Sequence, residues 1–450
     1  MTSESGETRV VPQRSVGARM GARYFYGWNV MAATFVMAMF SFGLGFYGVT
    51  VYVASLQRLH GWSASTVSAP VTVYYVAGAV LTAAIGGVYE RRGPRVVVTL
   101  ASVAMVSGLA ALGVVTQPWQ LYPIFLVMSV GWGAMSGAAI NIILAPWWQR
   151  RRGLVVSLAF NGATLGGVIV VPMLIHLIGT LGFSRALIVG AIVSLIVLLT
   201  VAAVMRRDPR DLGLGPDGDP VLLVRDPVLL VHDPAPLVRD VAALGHGEAQ
   251  AGDERPRRGR GDALRTWRFW SVSAPFALGL AAQVGVLTHL VALVTPTLGA
   301  DAAGRAVSAT TAAALIGRLV TGVVVDRLNR RFVASVTLIV QIVGVTLLAR
   351  AGSRAGVYAG CALFGLGVGN LTTLPGLILA VEWPRARFSS LVGLVVGINQ
   401  FTFAFGPSLV GLIRDWAGSY GPALGACSAI QAVAASLILL GPGRTRRARS

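Results

Sequence analysis

The sequence predicts an all-α membrane protein, with twelve transmembrane helices in two pseudo-symmetric six-helix bundles. Composition is the first ground. Of 450 residues, 55% are hydrophobic and 12% charged, where soluble domains run at about a quarter charged. The second is a series of apolar runs, each near the roughly 20 residues that cross a bilayer as a helix. The third is a set of landmarks that recur between the two halves at a near-constant offset.

In chain order, residues 1–25 are polar, with Arg9, Arg14, Arg19 and Arg23, and read as an N-terminal tail. The next run is too long for a signal-peptide core and reads as a retained span. Spans are expected at 26–50, 66–88, 95–115, 120–146, 153–178 and 183–205, which together form a first bundle over 26–205. Proline, glycine, arginine and aspartate replace the apolar runs over 206–266. A second bundle over 267–441 takes spans at 268–295, 304–325, 332–350, 355–381, 389–413 and 421–441, and a basic tail occupies 442–450.

Within the 206–266 linker a seven-residue unit starts at Asp219, Asp226 and Asp233, each followed by proline. Proline at that interval excludes a stable helix. A low-complexity linker is the preferred reading, and a docking or regulatory segment the other.

All 37 basic residues are arginine. With these spans, 30 fall in the termini or in alternate loops, six in the opposite loops and one inside a span. That asymmetry puts both termini on the cytoplasmic side of a plasma (inner) membrane. The absence of lysine beside abundant arginine, alanine and glycine points to a GC-rich, bacterial source. A net charge of +19 would suggest nucleic acid in a soluble protein. Here the arginines are short clusters between apolar runs, so the expected partners are membrane lipids and not nucleic acid. A monomer is expected.

Cys361 and Cys427 fall in apolar runs and form neither a disulfide framework nor a metal-ligand spacing. No phosphate loop, catalytic triad, paired acids or metal cluster is found. The sequence therefore predicts no enzyme and no cofactor.

The halves echo one another. Gly86, Glu90 and Arg91 recur 236 positions later as Gly322, Asp326 and Arg327. Trp148, Arg150 and Arg152 recur at an offset of 235 as Trp383, Arg385 and Arg387, and Pro172 as Pro407. Such parallel repeats occur in transporters that rock two halves about a central site.

At these residues the chain resembles the major facilitator superfamily. The superfamily's signature between spans 2 and 3 stands here as Gly86-Val-Tyr-Glu90-Arg91-Arg92-Gly93-Pro-Arg95, with glutamate for aspartate. Within it the chain resembles the monocarboxylate transporter and oxalate/formate antiporter branch. Tyr26-Gly27-Trp28 opens span 1 in the branch's manner, Trp148 to Gly153 leads to Asn161-Gly162, and Gly317-Arg318 precedes Gly322 and Asp326-Arg327. The resemblance implies that Arg318 contacts a substrate carboxylate. It also implies that Gly86, Glu90, Arg91, Gly93, Arg95, Gly322, Asp326 and Arg327 gate the cytoplasmic end by latching the halves when the protein opens outward.

There are departures. Phe46 and Ala314 stand where monocarboxylate transporters carry a span 1 lysine and a span 8 aspartate, and Asn399 falls near the span 11 lysine of oxalate antiporters. A dicarboxylate held by two cations is therefore disfavoured.

The residues point the same way. Arg318 is the lone charge within a span, and a charge at bilayer depth costs at least ~2.5 kcal/mol unless it faces a cavity or partner. It lies eight residues before Asp326, so about 12 Å inside the cytoplasmic end. Thr311, Ala314 and Gly322 share its face, and a guanidinium can hold a carboxylate in two hydrogen bonds. The alternative is an arginine bonded to carbonyls of a neighbouring helix.

His289 in span 7 either titrates during transport or bonds across helices as a neutral imidazole. Asn161, Asn370, Asn399 and Gln400 either bind substrate or join helices, and Tyr75 is a weaker substrate-binding candidate. The expected function is secondary active transport of a small organic anion, most simply a monocarboxylate, by alternating access with proton symport. The alternatives are efflux of drug-like amphipathic compounds, for which an intramembrane acid is missing, and a non-transporting receptor or scaffold.

Overall fold

A computed structural model describes residues 25–219, 264–325, 327–383 and 385–441, with the backbone alone for 385–390. Asp326, the repeats beyond Asp219 and both tails lie outside the described residues. Among those described there is no β-strand, and eleven helices are long and apolar enough to cross a membrane. They make twelve crossings because Ala64–Leu112 holds two, expected as separate spans but separated only by Gly93. There φ is 73° and ψ 165°, a conformation open to glycine and costly for other residues. The chain turns on one residue where a loop was expected.

We number the crossings in order. α1 is Gly27–His60, α2 and α3 lie on either side of Gly93 in Ala64–Leu112, and α4 is Pro118–Leu144. α5 is Arg152–Leu181 and α6 Phe183–Val204. In the second half, α7 is Trp267–Leu298, α8 Ala300–Val324, α9 Arg330–Arg350 and α10 Arg354–Glu382. α11 runs as Arg385–Phe403 and Gly406–Ala417, and α12 is Tyr420–Leu439.

Several crossings are irregular in mid-course. α1 and α5 each contain one wide π turn, Gly43–Tyr47 and Gly166–Val170. α4 breaks at Ser136, which is extended, and α10 at Gly369, where φ is 92°. Backbone freed at membrane depth is tolerated only where protein or a water-filled cavity covers it. These breaks therefore belong to the inside of the molecule.

In the first half α2 and α3 pack on α4, and α1 on α5 and α6. In the second, α9 packs on α10 and α12, and α7 on α11 and α12. Small residues set the approach. A Cβ at Gly162 or Gly166 would strike the carbonyl of Phe35 or Met39 on α1, and one at Gly317 the carbonyl of Leu366 on α10. This is the close helix packing expected of the Gly162 and Gly166 spacing.

The halves meet through α1 with α7, α2 with α11, and α5 with α8. Every described hydrogen bond across that seam lies toward the face away from the arginine clusters. Asp415 at the end of α11 accepts from the backbone N–H groups of Ala64 (3.0 Å) and Ser65 (2.6 Å) at the start of α2. A carboxylate there satisfies orphan donors and meets the positive end of the helix dipole. The Thr72 and Ser408 hydroxyls pair at 2.7 Å, Thr50 accepts from the Val291 N–H at 2.9 Å, and Ser308 donates to the Val168 carbonyl at 3.1 Å. At the arginine-rich face, by contrast, no described hydrogen bond crosses the seam. Among the described residues, hydrogen bonds close the seam at one end, around a cavity of about 330 Å³ lined by Gln57, Arg58, Gly179, Pro296 and Asp301, and none joins the halves at the other.

Two devices brace the arginine-rich ends of the bundles. In the second half Arg331, nearly buried, holds Glu382 with Nε–Oε1 at 2.6 Å and Nη2–Oε2 at 2.8 Å. Its remaining donors reach the Ser271 and Ile438 carbonyls and the Ser271 hydroxyl, at 3.2, 2.9 and 3.1 Å. One side chain thus ties α7, α9, α10 and α12.

In the first half, residues 206–219 do not behave as open linker. They form two short 3₁₀ turns, Pro209–Leu212 and Pro216–Gly218, under the loop between α4 and α5. The Asp217 carboxylate accepts from the N–H groups of Gln149 (3.1 Å) and Arg150 (2.9 Å), while the Arg150 guanidinium bonds Asp219. Burial works against the Asp217 charge. Backbone hydrogen bonds from Arg150, Gln149 and Arg151, together with the Arg150 charge, outweigh it and hold the carboxyl below its usual value.

Three outcomes are expected. Arg331→Met strands a buried carboxylate and costs about 3 kcal/mol, the lower end for a broken buried pair because Glu382 is partly solvated. A melting temperature unchanged in detergent would contradict this. Asp415→Ala loosens the closed end, so a spin-label pair placed across α2 and α11 at that face reports longer distances than in the parent. Because the folded Asp217 carboxyl titrates below its unfolded value, its contribution is complete above the ordinary carboxylate pKa and lost only as pH falls through the lower folded value. Protease protection of 206–219 is therefore flat from about pH 8 to about pH 5 and is lost at all of them in Asp217→Asn.

Candidate functional site

The mid-depth irregularities converge on Arg318. The π turns of α1 and α5 face each other, with a Cβ at Gly43 falling 2.8 Å from the Val170 Cβ. A Cβ at Gly167 would lie 3.0 Å from Tyr47 Cδ2 and collide with Thr311 of α8. Widening α1 by one residue over Gly43–Tyr47 swings Tyr47 toward α8. π turns of this kind recur at functional sites.

Arg318 lies two turns along α8 from Thr311 and is half-buried. Its guanidinium crosses Gly369 of α10, where a Cβ would sit 2.5 Å from Nη2. The Nε is buried without a hydrogen-bond partner, and no described carboxylate lies within ion-pair distance. The side chain on which its charge acts is Tyr47. An unpaired cation at this depth is costly, and a buried donor without a partner calls for a ligand or water.

The tyrosines divide in the same place. Among the deeply buried ones, Tyr52 donates to the Leu44 carbonyl at 3.1 Å, Tyr74 to Gly45 at 2.7 Å and Tyr89 to Ala134 at 2.8 Å. The Tyr47 and Tyr75 hydroxyls have no protein partner among the described residues. Tyr47 interacts electrostatically with both Arg318 and Tyr75. A buried tyrosine normally finds a partner for its hydroxyl; these two find none among the described residues, while the Arg318 Nε is the one of the three that is sealed from solvent as well.

The other expected residues separate. Asn370 is buried, and its amide donates to Thr321 Oγ1 (2.9 Å) and to the Leu366 carbonyl (3.0 Å). It joins α8 and α10, although its Oδ1 has no partner. Asn399 is buried with its Oδ1 unpartnered. Asn161 on α5 and Gln400 on α11 are half-buried, with no side-chain hydrogen bond among the described residues.

His289 was expected either to titrate during transport or to bond across helices. Its Nδ1 pairs with the Tyr420 hydroxyl at 3.2 Å and its Nε2 with the Pro407 carbonyl at 3.1 Å. Both ring nitrogens are occupied between α7, α11 and α12, at the closed end. This is the cross-helix bonding that was the alternative for this residue.

Of the expected gating residues, Glu90, Arg91, Arg95, Gly322 and Arg327 are exposed at the arginine-rich face, and Gly86 has open space beside it. Gly93 makes the turn between α2 and α3, with the Arg207 side chain near it, and Arg207 donates to the Glu90 carbonyl. No described side chain of this group bonds to the other half. Asp326 lies outside the described residues.

Sequence reasoning missed three features. Tyr47 carries a signal, since it sits in the glycine-rich run Gly43-Leu-Gly45-Phe-Tyr47-Gly48. Ungapped alignment, however, favoured its neighbour Phe46. A buried amide chain, Gln431 to Gln341 to Gln283 at 2.7 Å each, crosses α12, α9 and α7. The third is the Asp415 cap on α2, which pairs residues some 350 positions apart and leaves no local pattern.

Comparison with known proteins supplies the frame. Over 193 residues the chain is 30% identical to MFS-type transporter 1 of Ophiocordyceps sp., covering 41% of this chain and 42% of that one. An oxalate:formate antiporter of Oxalobacter formigenes is 25% identical over 42% of this chain and 43% of its own length. A Thauera aromatica protein described as an anionic 4-hydroxy-benzoate permease is 35% identical over 21% of this chain and 57% of its own. The chain thus matches less than half the length of the first of these relatives. Among solved structures, a D-xylose-proton symporter aligns over 94% of this chain and 99% of its own with a TM-score of 0.67, at 15% identity. That is a likeness of fold. The model of the Major Facilitator Superfamily matches residues 33–407, and on that match the chain belongs to this superfamily of membrane transporters.

Proposed function

We propose that this protein is a secondary active transporter of a small organic anion, a monocarboxylate, working by alternating access. The observation that carries the proposal is the unpaired guanidinium of Arg318. It sits between the halves, with a buried Nε lacking any partner and the unbonded Tyr47 phenol as its neighbour. A carboxylate arriving there gains two charge-assisted hydrogen bonds and removes the cost of an isolated charge. One cation suits one negative charge.

Similarity to an oxalate:formate antiporter and to a protein described as an anionic 4-hydroxy-benzoate permease supports an organic anion as cargo. The positive-inside distribution of arginine supports a cytoplasmic position for the arginine-rich face. The described conformation is then the inward-open one, held by the Asp415 cap and its neighbours, and the exposed loops carrying Glu90, Arg91 and Arg327 engage in the opposite state. Proton symport belongs to this proposal because carboxylates are commonly accompanied by a proton; no described carboxylate lies at mid-depth in a span to relay it. Both termini, on this reading, are cytoplasmic in the plasma membrane of a bacterium.

The test is uptake of labelled carboxylates into proteoliposomes. Arg318→Gln lowers uptake by at least a hundredfold, consistent with loss of a charged hydrogen-bonded pair worth about 3 kcal/mol, while the melting temperature without ligand stays equal or rises. Undiminished uptake in that variant rejects the proposal.

A further inference from the structure

Beyond the anchoring cation, the walls of the same site say what lies behind the carboxylate. Phe46, on the π turn of α1, belongs to a helix enclosed by α4, α5, α6 and α7. It is nevertheless only partly buried, so part of an aromatic side chain is left uncovered inside the bundle. One face of its ring stacks on Trp132 at 5.8 Å and 13°. Tyr47 and Tyr75 stand edge-on to it at 5.2 and 6.1 Å. From the other half Phe403 closes on Tyr75 at 5.4 Å and 76°, the one aromatic contact across the seam among the described residues. The ring edges and faces around this opening are the partners that a flat aromatic guest prefers, edge-to-face or offset.

Tyr47 joins the aromatic group to the helix that carries the cation: a Cβ at Gly167 would lie 3.0 Å from its ring and collide with Thr311, two turns from Arg318 on α8, while its ring meets Phe46 at 5.2 Å.

We infer that the cargo is an aromatic monocarboxylate, its carboxylate shared by Arg318 and the Tyr47 hydroxyl and its ring held against Phe46 and Tyr75. This rests on the anion-carrier reading and narrows it. An aliphatic acid of similar size would fill the space and meet the guanidinium, but lacks the quadrupole that these rings recognise. Two edge-to-face contacts give roughly tenfold discrimination.

Calorimetric titration of the full-length protein in nanodiscs with benzoate, cyclohexanecarboxylate and acetate tests this. Benzoate binds at least tenfold more tightly than cyclohexanecarboxylate. Phe46→Leu brings that ratio to within threefold while leaving cyclohexanecarboxylate binding in place, Phe46→Tyr preserves it, and Tyr47→Phe weakens every carboxylate. A parent ratio near one, with cyclohexanecarboxylate binding abolished by Arg318→Gln, overturns the aromatic assignment and leaves the anion carrier standing. Carboxylate binding that is absent from the parent, or indifferent to Arg318→Gln, overturns both. The parent ratio is decisive even if Phe46→Leu fails to fold.

Discussion

A positive charge without a counter-charge among the described residues, held at mid-depth in an apolar bundle, is the constraint around which this molecule is arranged. Hydrocarbon will not solvate a guanidinium, and the neighbouring helices of Arg318 offer its Nε no acceptor. Everything close to it makes room and does not neutralise. Gly369 removes a side chain that would collide with Nη2. Gly317 brings α8 against the α10 backbone, and the π turn of α1 delivers a phenol whose hydroxyl is unspent. An unmet charge of this kind is what the proposed anion would relieve.

Contrast with Arg331 shows that this is a property of the site and not of buried arginine in general. Arg331 also lies inside the bundle, yet it uses Glu382, two carbonyls and a hydroxyl, a saturated guanidinium whose work is structural. His289 belongs with Arg331, with both nitrogens engaged. Saturation, more than burial, separates the groups that hold helices together from those available to a passing molecule.

The seam has a matching asymmetry. At the closed end the contacts are small and individually weak: a carboxylate on a helix start, a pair of hydroxyls, a threonine on a backbone amide. Such contacts can be exchanged for water without great loss, which suits the alternating access proposed above. The bonds inside each half, such as the Arg331 cluster and the glutamine chain, are buried and multiple, so each half can move as a unit. Hinge-like rocking of two stiff bodies about a soft seam is the repertoire expected of this architecture.

How much of this was legible in the chain was set by the range of each interaction. Hydropathy and the arginine distribution are local and additive, so composition and order alone determined the run of membrane-crossing helices and the isolation of Arg318 among apolar residues. The close approach of α1 and α5 was readable too, because Gly162 and Gly166 carry it in their spacing. What neighbours each charge is not local. Whether Arg318 finds an acceptor, whether His289 is free, whether Tyr47 or Phe46 faces the seam, and whether 206–219 hangs loose or docks through Asp217 all depend on distant atoms and on one-residue shifts in helix phase. A π turn rotates the next stretch of helix without altering the apolar pattern, and Asp415 meets α2 across most of the chain. Only the folded arrangement decided those, because a hydrogen bond is satisfied by position in space and the sequence records only position along the chain.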